Sequence, residues 1–229
     1  MRTSILLGAL MAGTIIVCIA PCQAQRAIYA PPDNVKWCRG GYFPHEGPAF
    51  GLARVVSDTL HFVRDSDAEC PGASSCIEKA YLVKGDIIAT TRSYKQWTCV
   101  AWPKGGYTEW MNTADLAPIP VAMHPDLASW LGTWVDGKGR GANSIRLVPG
   151  KKPGTLTVDG AACWGINCSS NGSISATALP DGNTVAFHEG DATACHLSLV
   201  LLGNYLVATD DNQCGGMNVS FSDVYYRAK

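Results

Sequence analysis

Five histidines are the side chains best suited to move protons near neutral pH: His45, His61, His124, His188 and His196. His45-Glu46 and His188-Glu189 each set an imidazole beside a carboxylate, a pairing that serves proton transfer only if the two groups face each other. Adjacent side chains on a strand point to opposite faces, so neither dipeptide is expected to act as a couple. His188 falls near the end of an expected strand, where simple exposure accounts for it. His188 and His196 are still the residues around which a hydrolytic site would be built. No His-Glu-x-x-His, Gly-x-Ser-x-Gly or Walker sequence occurs. Asp210-Asp211-Asn212 crowds oxygen ligands as a calcium loop does, but without the spacing of such a loop. An Asx turn closed by Cys214 is the reading there. No catalytic residue, metal or cofactor is assigned.

Gly137-Lys138-Gly139-Arg140-Gly141 places two cations in a glycine-rich loop. It is no phosphate loop, because neither Ser nor Thr follows the lysine. A solvated loop is the plain reading. The sharper one is a protruding loop whose Lys138 and Arg140 contact the carboxylates of a partner.

Composition narrows the function classes. The 229 residues carry 18 Lys and Arg against 19 Asp and Glu, so a basic nucleic-acid binder held by phosphate contacts is excluded. Ten cysteines point to disulfides made in an oxidising compartment. Arg2, the apolar run Ile5 to Ala20 and the small-residue exit Pro21-Cys22-Gln23-Ala24 read as a secretory leader cleaved after Ala24. The run is shorter than the ~20 residues that span a bilayer. No later stretch is long enough, so no transmembrane segment is expected after cleavage, and the compartment is extracellular or periplasmic.

Cleavage would remove Cys18 and Cys22. Four of the remaining cysteines (Cys38, Cys70, Cys76, Cys99) precede a proline-rich stretch around Pro118, Pro120 and Pro125, and four (Cys163, Cys168, Cys195, Cys214) follow it. Pairing within halves leaves three connectivities in each. The least strained set is Cys70–Cys76, Cys163–Cys168 and Cys195–Cys214, leaving Cys38–Cys99. No Cys-x-x-Cys occurs, which disfavours a redox pair or a zinc knuckle. The expected layout is a leader (1–24), an N-terminal segment (25–50), a first domain (51–117), an extended linker (118–128) and a second domain (129–229).

Period-two alternation outweighs helical periodicity throughout. Leu197, Leu199 and Leu201 alternate with His196, Ser198 and Val200, and Gly203-Asn204 then turns the chain into Tyr205 to Thr209, a hairpin signature. Pro180-Asp181-Gly182-Asn183 marks another turn, between Ile174 to Ala176 and Thr184 to Phe187. Ser144 to Val148, Thr155 to Val158 and Val219 to Tyr225 supply further strands. The fold class is all-β: two small antiparallel barrels stapled by disulfides.

Three ordered motifs in the first domain carry a resemblance. Tyr81 to Ile88 contains a strand, a Gly85-Asp86 turn and a second strand; Gln96 to Val100 is similar to the strand that follows; Glu109-Trp110-Met111 and Ala114-Asp115-Leu116 complete the pattern. Together they resemble a bacterial SH3-like barrel. Gln96 stands where the peptide-gripping tryptophan of proline-binding relatives would be, so the resemblance implies an envelope or cell-wall attachment module, or a purely structural barrel, rather than a proline-peptide groove. In the second domain, Gly132-Thr133-Trp134 resembles the opening strand of lipocalin- and avidin-type barrels, which implies that Trp134 plugs one end and could touch a ligand inside. The C-terminal run from Cys195 to Tyr225 resembles domains of bacterial envelope proteins, some linked to lysozyme-inhibitor modules. Lys138 and Arg140 would then address a carboxylate-lined cleft. The expectation is a non-catalytic binding protein of the bacterial envelope whose partner is a protein or a cell-wall glycan. A hydrolase built on His188 and His196, or a barrel holding a small apolar ligand, is the alternative.

Overall fold

The computed structural model describes residues 35–46, 50–138, 143–190 and 194–228. The proposed leader, its cleavage site at Ala24 and Arg140 lie outside the described residues. The fold is all-β, as expected, and consists of two antiparallel sheets.

The first sheet comprises β1 (Gly51–Val55), β2 (Thr59–Val63), β3 (Ile77–Val83), β4 (Ile87–Tyr94), β5 (Trp97–Trp102), β6 (Tyr107–Asn112) and β7 (Leu116–Ile119), in the order β3-β2-β6-β5-β4-β1-β7. Gly85 turns β3 into β4 with φ +98°, a conformation that glycine adopts without a Cβ penalty. The Asp86 carboxylate closes that turn by accepting the Val83 N–H at 2.9 Å. β5 is buried on both faces. One face joins Phe62, Leu82, Ile88 and Met111. The other joins Cys99, Trp110, the N-terminal segment and residues of the second sheet.

The prolines were expected to keep residues 118–128 out of any ladder. Pro118 instead pairs with Ala53 in β7. β7 is an edge strand, where a residue lacking an N–H can sit without costing a hydrogen bond on the solvent side.

The second sheet comprises β8 (Gly132–Val135), β9 (Ser144–Pro149), β10 (Leu156–Trp164), β11 (Ser170–Ala178), β12 (Thr184–His188), β13 (His196–Leu202), β14 (Tyr205–Asp210) and β15 (Asp223–Arg227). Its order, β11-β10-β9-β8-β15-β14-β13-β12, joins the first strand to the last. β11 and β12 lie side by side without a ladder, so the barrel is nearly closed. Trp134, Phe187, Phe221 and Tyr225 are fully buried in its interior with a shell of Leu, Ile and Val. The barrel is therefore filled by side chains.

One expected strand is displaced. Val219 to Ser222 does not pair in the sheet; it wraps the buried carboxylate of Asp210. Ser220 and Ser222 donate their hydroxyls at 2.7 and 2.6 Å, and Phe221 donates its N–H at 2.9 Å. Burying a carboxylate costs free energy unless donors surround it, and these donors bend the chain away from a strand path.

All four inferred disulfides are formed: Cys38–Cys99, Cys70–Cys76, Cys163–Cys168 and Cys195–Cys214. Cys38–Cys99 pins the segment 35–46 onto β5. That segment is held further by the Trp110 indole, which donates to the Lys36 carbonyl at 2.7 Å, and by Arg92, which pairs with Glu46 at 2.6 Å and donates to the carbonyls of Val35 and Trp37. It also reaches the second sheet, because the Thr209 hydroxyl donates to the Pro44 carbonyl at 2.9 Å. Among the described residues, no helix is long and apolar enough to cross a membrane.

Candidate functional site

A cleft of about 690 Å³ lies between the two sheets. Its first wall is built from the N-terminal segment and the ends of β2 and β6. Cys38–Cys99 fixes the segment, and this brings Arg39 to Asp65, with the guanidinium Nε 3.0 Å from the carboxylate. The Cys38 N–H donates to the same carboxylate at 2.7 Å. Asp65 is thus held by two sets of donors although its side chain is almost wholly buried. The second wall comes from the end of β8 and the start of β15. Lys138 Nζ lies 2.5 Å from Asp223 and 3.9 Å from Asp136.

Gly137 lets these walls meet. Its φ is +78°, and a Cβ at this position would stand 2.0 Å from the carbonyl oxygen of Pro103. No side chain fits there, so the glycine read from sequence as part of a loose loop is a close backbone contact between the sheets.

Glu109 completes the lining. It shares its register on β6 with Tyr107 and Met111, the positions that pack inward. Among the described residues its carboxyl makes no hydrogen bond or ion pair, and Oε2 is buried. Burial, with the nearby charges of Asp65 and Glu78, pushes its pKa up to about 8, against the pull of Arg39 and Arg64. On the opposite wall, burial raises Asp223, and Lys138 partly restores it. For Lys138, burial works to lower the pKa, but the Asp223 and Asp136 carboxylates outweigh it and leave the ammonium more basic than usual.

Lys138, the described member of the loop offered as a partner contact, lines the cleft: its ammonium faces Asp223 and Asp136 while its side chain stays largely exposed.

Trp134 is buried at one end of the second barrel. Its indole N–H donates to the Trp130 carbonyl at 3.0 Å, and the Arg227 guanidinium lies 4.2 Å above its ring. Arg227 also donates to the carbonyls of Leu131 and Ser129. Trp134 is therefore covered by protein groups, in one buried cluster with Phe187, Phe221 and Tyr225.

His188 and His196 do come together. They pair across β12 and β13 with ring centroids 4.6 Å apart, and His196 Nδ1 lies 3.3 Å from the Asp211 carboxylate. Asp211 also accepts the Gln213 N–H at 3.0 Å, which makes the expected Asx turn. His45 and Glu46 are separate in role: Glu46 binds Arg92, and burial lowers the pKa of His45 against the pull of Asp210. Among the described residues, no group of three or more His, Cys, Asp or Glu side chains is arranged to hold a metal.

Sequence reasoning missed Arg39, Asp65, Glu109, Asp136, Asp223 and Arg227. Glu109 had a readable signal, a carboxylate between Tyr107 and Met111 on an apolar register. The others depend on contacts between residues distant in the chain. Comparison with known protein families, with curated proteins and with solved structures gives no match.

Proposed function

We propose that this chain is a secreted or periplasmic binding protein of the bacterial envelope, non-catalytic, with the cleft between the two sheets as its ligand site. The observation that carries this reading is the cleft itself. Its volume falls in the range of small-ligand sites, about 300–1,000 Å³. Its walls carry charged groups already held in place by ion pairs, so a polar ligand meets donors and acceptors that need little reordering. Four disulfides support an oxidising compartment. A short piece of cell-wall glycan or a terminus of an envelope protein suits such a site.

The test is calorimetric titration of the leader-free protein with soluble cell-wall glycan and peptide fragments, beside Thr108→Trp, which would fill the cleft from its wall. Binding that is lost in the variant, with the fragment recovered intact, is expected. Cleavage of the fragment, or binding unaffected by Thr108→Trp, would overturn the reading.

The pairing of His188 with His196, and of His196 with Asp211, favours a second reading, a hydrolytic site at the mouth of the barrel. A carboxylate that orients one imidazole is half of a general-base arrangement. Turnover of an ester, peptide, glycan or phosphate substrate that disappears in His196→Ala would establish it.

A further inference from the structure

Among the described residues, the cleft holds one charge-bearing group that its own walls leave unmatched. Arg39 is taken by Asp65, and Lys138 by Asp223 and Asp136. Among the described residues that line it, counting Glu109, four carboxylates face two cations. Glu109 lines the cavity, and its buried Oε2 has no hydrogen-bond partner among the described residues. A buried acceptor without a donor is unfavourable. The group that relieves this cost must bring N–H donors, and positive charge if the carboxyl is ionised. A neutral polyol supplies donors and no charge, and an anion adds to the existing imbalance.

We propose that the cleft is a site for an organic cation bearing N–H groups, an ammonium or guanidinium, which binds against Glu109. This rests on the reading of the cleft as the ligand site, and names the ligand's chemical class. Glu109 is bracketed by Asp65, Glu78, Arg39 and Arg64 on its own side, with Asp136, Lys138 and Asp223 opposite. Glu109 exchanges proton for ligand, so the cleft gains a cation as it loses a proton. Burial and the neighbouring carboxylates hold the free carboxyl protonated up to about pH 8. Binding at lower pH must therefore release a proton, and the apparent affinity must fall as the ionised fraction falls.

The test uses three probes with the same carbon chain: diaminopentane, pentanediol and glutarate. Each is titrated calorimetrically into the leader-free protein. Diaminopentane is expected to bind alone, about 50-fold more tightly at pH 8 than at pH 6, the ratio of ionised fractions for a group titrating near 8. Titration in two buffers of different ionisation enthalpy at pH 6 should report close to one proton released. Glu109→Gln keeps the shape and hydrogen-bonding capacity but cannot ionise. It is expected to bind the diamine weakly and with the same affinity at both pH values, while its circular dichroism matches the parent.

Diamine binding that is independent of pH, or unchanged in Glu109→Gln, would overturn the proposal, as would preference for pentanediol or glutarate. The two levels separate cleanly. If a neutral glycan fragment binds and Thr108→Trp blocks it while the diamine does not bind, the cation assignment fails and the cleft reading stands. If neither class binds at millimolar concentration, both fail. Methylguanidine in place of the diamine distinguishes a guanidinium from an ammonium source.

Discussion

The hydroxyl of Tyr205 donates to the carbonyl of Ile87 at 2.5 Å, across 118 residues of sequence and from one sheet to the other. Tyr205 is nearly buried, and it packs with Leu202, Val207 and Val224 against Cys99, Ala101 and Trp110 of the first sheet. The two sheets therefore share one apolar contact, and the cleft is the gap left beside it.

Removing that hydroxyl should weaken the docking. Tyr205→Phe is expected to cost about 1 kcal/mol in urea unfolding, the net value of one hydrogen bond. The pH dependence is more telling. Burial, with the charge of Asp86, raises the Tyr205 pKa from 10.0 to about 12. A raised pKa favours the protonated form in the fold, so its stabilisation is complete below pH 10 and is lost as pH rises towards 12. The parent should lose stability over that window more steeply than Tyr205→Phe; parallel curves would contradict the assignment.

The four disulfides should differ in worth. Cys38–Cys99 closes 61 residues, whereas Cys70–Cys76 and Cys163–Cys168 close 6 and 5. Loop-closure entropy gives about 4 kcal/mol for the long loop and about 2 kcal/mol for each short one. Paired Cys→Ala variants, followed by guanidinium denaturation, test the order. The Cys38–Cys99 variant should also lose ligand binding, because Arg39 and the Cys38 N–H are placed by that bridge. Equal losses across the three variants would contradict the estimate.

Arg227 closes the end of the second barrel. Arg227→Met retains length and apolar stem but loses the hydrogen bonds to Leu131 and Ser129 and the charge above Trp134. A loss of roughly 2 kcal/mol is expected from those contacts together, with a shift in tryptophan emission. Unchanged stability would show that apolar packing alone closes the barrel.

Much of this architecture is legible in sequence because it is local. The Gly203-Asn204 turn and the alternation on either side of it specify β13 and β14, and short cysteine spacings leave few unstrained pairings. Where reading fails, the cause is long-range. Pro118 looks like linker until β1 is seen beside it, since an edge position is a property of the sheet. Val219 to Ser222 alternates like a strand, but Asp210 claims its donors. Lys138 reads as a free loop cation because nothing nearby in sequence reveals Asp223, which lies 85 residues further on. The cleft is assembled from segments of both sheets that lie far apart in the chain, so no single motif announces it.

Glu109 should also shape stability. Its folded-state pKa of about 8 exceeds its ordinary value of 4.5, so the fold holds the proton more tightly than the unfolded chain. Stability from this group is fully present below pH 4.5 and is lost as pH rises through about 8. Glu109→Gln should remove that slope and stabilise the ligand-free protein near pH 8 by roughly 1–3 kcal/mol, the cost of an unpartnered buried carboxylate. Melting curves from pH 5 to 9 (a range of about four units around the expected transition) give the comparison. A parent whose stability rises over this interval relative to the variant would reverse the assigned sign.

Backbone amide NMR of residues 25–229, titrated with cell-wall fragments and with diaminopentane, tests most directly whether the gap between the sheets is the binding site. Shifts should concentrate at Gly40, Gly106, Thr108, Glu109, Lys138 and Val224, residues from both walls that are brought together only by the fold. Shifts centred on His188 and His196, or on one sheet with the other silent, would contradict it.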